Sequence, residues 1–148
     1  MHAGVKETPP PIRYEPIAPR APEGQFSLLS LLPGDGPLEL DVGFGRGLSL
    51  YERASASPTS RIIGVEVKAK WAFKVAERIE RRGLAGRVKV LCGDIRELLA
   101  RAEPDACLAR AFVHFPDPWW KKRHAHRMVV GEARLCRYSG NHCSRMTC

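Results

Sequence analysis

An open α/β sheet of parallel strands with helices on both faces is the fold class this sequence predicts. Three observations carry the prediction. Short apolar segments rich in β-branched residues alternate with segments of helical period. The segments between successive strands are long enough for crossover connections, which parallel pairing requires. A glycine-rich turn stands between the first of these strands and the first helix, where an open sheet of this kind receives its ligand. Together they describe a Rossmann-like architecture.

Residues 1–37 hold eight of the twelve prolines, among them Pro9, Pro10, Pro11, Pro16, Pro19 and Pro22. Proline denies a segment both a helix interior and a central strand. An extended, mostly disordered arm is expected over 1–24. Phe26-Ser27-Leu28-Leu29-Ser30-Leu31-Leu32 is a short apolar element stopped by Pro33-Gly34 and is expected to dock on the main domain.

Leu38–Val42 reads as the first strand, and about Leu48–Ala54 as the helix after the glycine turn, with a loop from Ser55 to Ser60. Ile62–Val67 is nearly continuous in apolar residues, as a parallel strand buried on both faces should be. Over Lys68–Arg82, Trp71, Val75 and Ile79 recur at i, i+4 and i+8, which predicts a helix. Glu77 and Arg81 are spaced for an i, i+4 ion pair there, and Gly83 suits a C-cap. Val88–Leu91 is a third strand, Ile95–Ala102 a helix, and Ala106–Phe112 a fourth strand. The domain is expected to run over 25–130, followed by an atypical tail at 131–148.

The chain has 148 residues, suited to one domain. Its formal charge is +8, an excess that points toward a polyanionic partner, with nucleic acid the usual one. No apolar run approaches the roughly 18 residues of a membrane span. The start of the chain has no apolar signal core, so a cytoplasmic protein is expected. Five cysteines occur without a CxxC pair. Cys92 and Cys107 read as core residues; Cys136, Cys143 and Cys148 match no familiar zinc spacing, and no metal is expected.

The turn Asp41-Val42-Gly43-Phe44-Gly45-Arg46-Gly47 has glycines at alternate positions, GxGxG, whereas dinucleotide sites favour GxGxxG. Gly43 and Gly45 let the backbone approach a ligand without a Cβ in the way. Glu66 ends the second strand, at the distance expected of an acid that holds ribose hydroxyls. Asp94 follows the third strand, where a carboxylate accepts from an adenine amine or caps the next helix. Three acids at 41, 66 and 94 would repel a phosphate ligand but suit a sulfonium cation bearing a free ammonium group. This favours S-adenosylmethionine over NAD, although Arg46 leaves a phosphate contact open.

After the fourth strand comes Phe115-Pro116-Asp117-Pro118-Trp119-Trp120-Lys121-Lys122-Arg123-His124. Two prolines hold Asp117 in a stiff turn. Trp119 and Trp120 offer faces for stacking a base. Lys121, Lys122 and Arg123 supply phosphate contacts.

These runs, with Leu40-Asp41-Val42-Gly43-Phe44-Gly45, Gly64-Val65-Glu66-Val67 and Cys92-Gly93-Asp94, closely resemble the bacterial tRNA (guanine-N7)-methyltransferase family from about Leu38 to Val130. The resemblance implies S-adenosylmethionine contacts at Asp41, Glu66, Asp94 and Asp117. It also implies a catalytic role for Asp117, a substrate contact at Lys121, and tRNA as partner. The family usually has Glu in place of Asp41 and often His in place of Trp120. Guanine N7 carries a lone pair and no proton, so Asp117 is expected to orient the base and favour its developing charge, without serving as an obligatory general base.

From Gly131 onward strand alternation stops, and the further strands of that family are absent, as in a truncated or frameshifted chain. Two classes of function follow: methyl transfer to tRNA, or a catalytically impaired remnant that binds cofactor or RNA without turnover. A small-molecule methyltransferase is disfavoured by the basic aromatic run, and an NAD oxidoreductase by the glycine spacing and the acids.

Overall fold

A computed structural model of the chain describes residues 8–104 and 107–114. β1 (Phe26–Ser27) and α1 (Leu28–Leu31) come first, with Ser27 capping the helix through the Ser30 amide. β2 (Leu38–Val42), α2 (Leu48–Ala56), β3 (Arg61–Glu66), α3 (Ala69–Arg81), β4 (Val88–Cys92) and α4 (Ile95–Arg101) then alternate. β5 (Ala102–Glu103) and β6 (Arg110–Val113) complete the described elements.

The main sheet has the order β4-β3-β2-β6, with every pair parallel. The chain moves from β2 to β3 to β4 in one direction, then crosses back to β6 on the other side of β2. Right-handed crossovers therefore put α2 and α3 on one face and α4 on the other. The two core clusters agree. Leu50, Ala54, Ala72, Val75 and Ile79 pack with Ile62, Val88 and Val90 on the first face. Leu40, Val42, Ile63, Val65 and Leu91 pack with Ile95, Leu98 and Leu99 on the second, joined by Phe26, Leu28 and Leu32. The expected α/β class and the docking of the 26–32 element both hold.

Boundaries differ where tertiary contacts override composition. α2 continues to Ala56, two residues into the expected loop. β3 ends at Glu66, leaving Val67 69 % exposed outside the sheet. The last described strand begins only at Arg110, because its pairing partner β2 offers register from Glu39 onward. Ala102, assigned to the preceding helix by sequence, instead joins Glu103 in a short parallel pair with Phe26 and Ser27. The expected Glu77–Arg81 ion pair is not formed; the ion pairs among the described residues lie elsewhere.

The proline-rich arm corrects the expectation of disorder over residues 14–24. Tyr14 packs against Phe73 with ring centroids 5.6 Å apart, and Ala18 is buried in the α2–α3 core. The Pro19 carbonyl accepts a 2.6 Å hydrogen bond from the Cys92 amide, and the Pro22 and Gly24 carbonyls accept from Arg101. Proline lacks a donor, but its carbonyl remains free to pair with the open edge of β4. The expected tail and the boundary at 130 lie outside the described residues.

Candidate cofactor site

β2 presents Leu38, Leu40 and Val42 to the α4 face and, by strand alternation, Glu39 and Asp41 to the α2 face. Both carboxylates are buried, and α2 answers each of them. Arg53 grips Glu39 through both carboxylate oxygens at 2.6 and 2.7 Å. Ser49, four residues earlier, donates to Asp41 Oδ2 at 3.1 Å. Two residues of strand and one turn of helix cover nearly the same length, so the two pairs stand in register.

Asp41 is also met from β6. His114, one residue beyond that strand, places Nε2 3.1 Å from Asp41 Oδ1 and 3.2 Å from Ser49 Oγ. Oδ1 still has no aligned hydrogen-bond donor among the described residues. Burial raises the Asp41 carboxyl above the ordinary 3.8, while His114, Ser49 and Arg53 pull it back. The result is a buried carboxylate met by His114 at Oδ1 and by the Ser49 hydroxyl at Oδ2. The sequence pointed to Asp41 but not to Ser49 or His114; a small polar residue in the first turn of α2 was the available signal.

The glycine turn rises from the end of β2. Phe44 is buried over Gly64, where an added Cβ would lie 2.8 Å from the ring, so the turn is pinned into the core. Gly43 has φ +74°, and a Cβ there would stand 3.0 Å from the His114 carbonyl oxygen. Gly45, at φ +55°, faces open space. Its amide donates to Glu66 Oε2 at 2.8 Å, while the Lys68 amide donates to Oε1 at 3.0 Å. Glu66 thus ties the glycine turn to the start of α3, and each oxygen retains a lone pair for a hydroxyl donor.

Asp94 caps α4, accepting from the Arg96 amide at 2.8 Å, and pairs with the Arg96 guanidinium at 2.6 Å. The Arg96 side chain and amide hold its carboxyl below the usual range. Of the two roles open to it in sequence, the cap is formed. Two adjoining clefts of about 390 and 550 Å³ meet at Cys92, Gly93, Asp94 and Glu97. The larger is floored by Val67 and Trp71 and faced by Glu15 and Arg20 of the arm. Cys92 is buried, and burial raises its thiol.

Asp41, Glu66 and Asp94 therefore stand at the carboxyl ends of three neighbouring strands, with Gly43 and Gly45 between the first two. Asp117, Trp119, Lys121, Lys122 and Arg123 lie outside the described residues. Among the described residues no cluster of side chains could hold a metal ion, and no helix is long and apolar enough to cross a membrane.

Residues 35–140 match a family described as "Putative methyltransferase". The chain belongs to this methyltransferase family. It is 39 % identical over 111 residues to the tRNA (guanine-N(7)-)-methyltransferase of Chromohalobacter salexigens, covering 75 % of this chain and 45 % of that protein. To the enzyme of the same name from Marinobacter nauticus it is 42 % identical over 96 residues, covering 65 % of this chain and 40 % of that one. The chain thus spans less than half the length of these curated relatives. Among solved structures, the antibiotic-resistance methyltransferase Kmr superposes with a TM-score of 0.52 at 23 % identity, over 75 % of this chain and 57 % of that one. A geranyl diphosphate methyltransferase superposes equally well, at 0.52 and 22 % identity, over 75 % of this chain and 38 % of the other. At these identities the likeness is one of fold, and it agrees with the methyltransferase family.

Proposed function

We propose that this chain binds S-adenosylmethionine at the strand ends and serves methyl transfer to N7 of a guanine in tRNA. The observation that carries the reading is the set of three carboxylates, Asp41, Glu66 and Asp94, at the carboxyl ends of neighbouring strands, with a glycine turn between the first two whose Gly45 faces open space. The residues fit this cofactor. Asp41, at the end of its strand beside the glycine turn, is assigned the ammonium of the amino-acid end. Glu66 suits the ribose hydroxyls, Val67 the adenine face, and Asp94 the adenine amine beside its capping bond.

When bound, this cofactor supplies a methyl group on a cationic sulfur. The protein's part is to position, exclude water and balance charge. Guanine N7 needs no base to expose its lone pair, so orientation contributes most of the acceleration open to these residues. Asp117 is assigned the base edge, where a carboxylate favours the cation that forms on the ring. Trp119 is assigned to stacking, and Lys121, Lys122 and Arg123 to RNA phosphates. The names of the relatives support tRNA as the partner, and a cytoplasmic location follows from that substrate.

Calorimetry with S-adenosylmethionine and with NAD tests the cofactor assignment; a preference for the pyrophosphate-bearing ligand would reject it. Methyl-labelled cofactor with unmodified tRNA, followed by nucleoside analysis, tests the reaction. Label on N7-methylguanosine is expected, and label confined to any other nucleoside would reject the guanine-N7 assignment.

A further inference from the structure

We propose that the outer face of α3 is a further RNA-docking surface, a track for backbone phosphates built from residues other than the Lys121–Arg123 run. The inference rests on the tRNA reading above. Lys70, Lys74, Arg78 and Arg82 stand four residues apart and so form one row along the helix, about 18 Å long at 1.5 Å per residue. All four are exposed, and none forms an ion pair among the described residues. Glu80 projects to the other side of the exposed face by the same periodicity, while Glu77 stands one turn from Lys74 and borders the first half of the row.

Two aromatic rings hold the ends of this row. Arg46 of the glycine turn and Lys70 lie 5.1 and 5.4 Å from the centroid of Trp71. Arg78 and Arg82 lie 5.6 and 4.2 Å from the centroid of Tyr51. Each ring therefore gathers two like charges. Cation–π contact offsets part of their repulsion, at about 0.5–1 kcal/mol for each exposed cation. Like charges at i, i+4 cost roughly 0.2–0.5 kcal/mol per pair, and the row contains three such pairs in succession.

The helix itself explains only part of the row. Arg78 and Arg81 lie in the last turn, where cations complement the helix dipole. Lys70 and Lys74 lie in the first half, and the first turn contains no acid. The charge of Lys70, in that first turn, is unfavourable to the helix dipole, and a polyanion would reverse that sign. A row of this length spans several phosphates of one strand, and anchored guanidinium groups pair with phosphate at little entropic cost. The surface begins at Arg46, beside the cofactor turn, so RNA on α3 would continue toward the site of transfer.

The test is filter binding of an unmodified tRNA transcript to the full chain between 50 and 200 mM salt, a range of about fourfold suited to counterion release. Lys70→Gln/Lys74→Gln and Arg78→Gln/Arg82→Gln are each expected to weaken binding roughly threefold to tenfold and to lower the salt slope by about 1 to 2. Arg78→Lys/Arg82→Lys is expected to restore most of the slope, and Arg78→Gln/Arg82→Gln to keep the S-adenosylmethionine affinity of the parent. Unchanged affinity and slope in both glutamine variants, with the parent binding tRNA, would overturn the track alone. A parent that binds no tRNA would overturn both the track and the tRNA reading.

Discussion

His114 Nε2 lies 3.1 Å from Asp41 Oδ1, across the boundary between β2 and β6 where the direction of the sheet reverses. Ligands of open α/β sheets bind beyond the strands at such a reversal. The contact joins a carboxylate already present in the first motif to a residue 73 positions later, and Ser49 touches both.

Asp41→Asn separates stability from binding. Burial raises the Asp41 carboxyl, so the folded state favours its neutral form. The cost of holding it ionised is present above the raised value and is relieved as pH falls through it toward 3.8. Asparagine removes that cost while keeping an acceptor for Ser49. The variant is expected to melt at or above the parent's temperature at pH 7, by calorimetry, and to bind S-adenosylmethionine roughly tenfold or more weakly, the range of a hydrogen bond to a charged group.

Glu66→Gln should behave differently, because both carboxylate oxygens accept backbone amides from Gly45 and Lys68. A glutamine amide presents one NH2 group to an N–H donor. The loss is expected to be about 1–3 kcal/mol in stability by urea denaturation, alongside weaker cofactor binding. Stability equal to the parent's would mean that the carboxylate does not brace the glycine turn.

The two roles of Asp94 come apart in a pair of variants. Asparagine caps helices as well as aspartate does, whereas alanine costs about 1 kcal/mol. Asp94→Asn should therefore melt close to the parent at pH 7 and still lose cofactor affinity, while Asp94→Ala loses both. Since its carboxyl is held low, the stability Asp94 contributes is present above 3.8 and disappears as pH falls through its folded value. The parent's advantage over Asp94→Ala should accordingly shrink in melts as the pH falls below 3.8.

Alanine at the two glycines gives a further contrast. Both sites have positive φ, which costs a side chain roughly 1–2 kcal/mol. At Gly43 the new Cβ also meets the His114 carbonyl oxygen at 3.0 Å, so Gly43→Ala should be the less stable by denaturant unfolding. At Gly45 it enters open space, so Gly45→Ala should lose cofactor affinity beyond its smaller loss of stability.

The sequence by itself determined the alternation of strands and helices and the position of Asp41, Glu66 and Asp94 at successive strand ends. Those features are local: period 2 or 3.6, glycine spacing, and an acid at a fixed step from a turn. Tertiary structure decided what those acids touch. Glu39 looked like one more strand residue until α2 brought Arg53 onto it, and Ser49 and His114 carry no motif that marks them as neighbours of Asp41. The arm likewise read as disordered from its prolines, yet its carbonyls found the edge of β4 and Arg101. Such contacts join residues tens of positions apart through sheet order and crossover handedness, which no single window of sequence encodes.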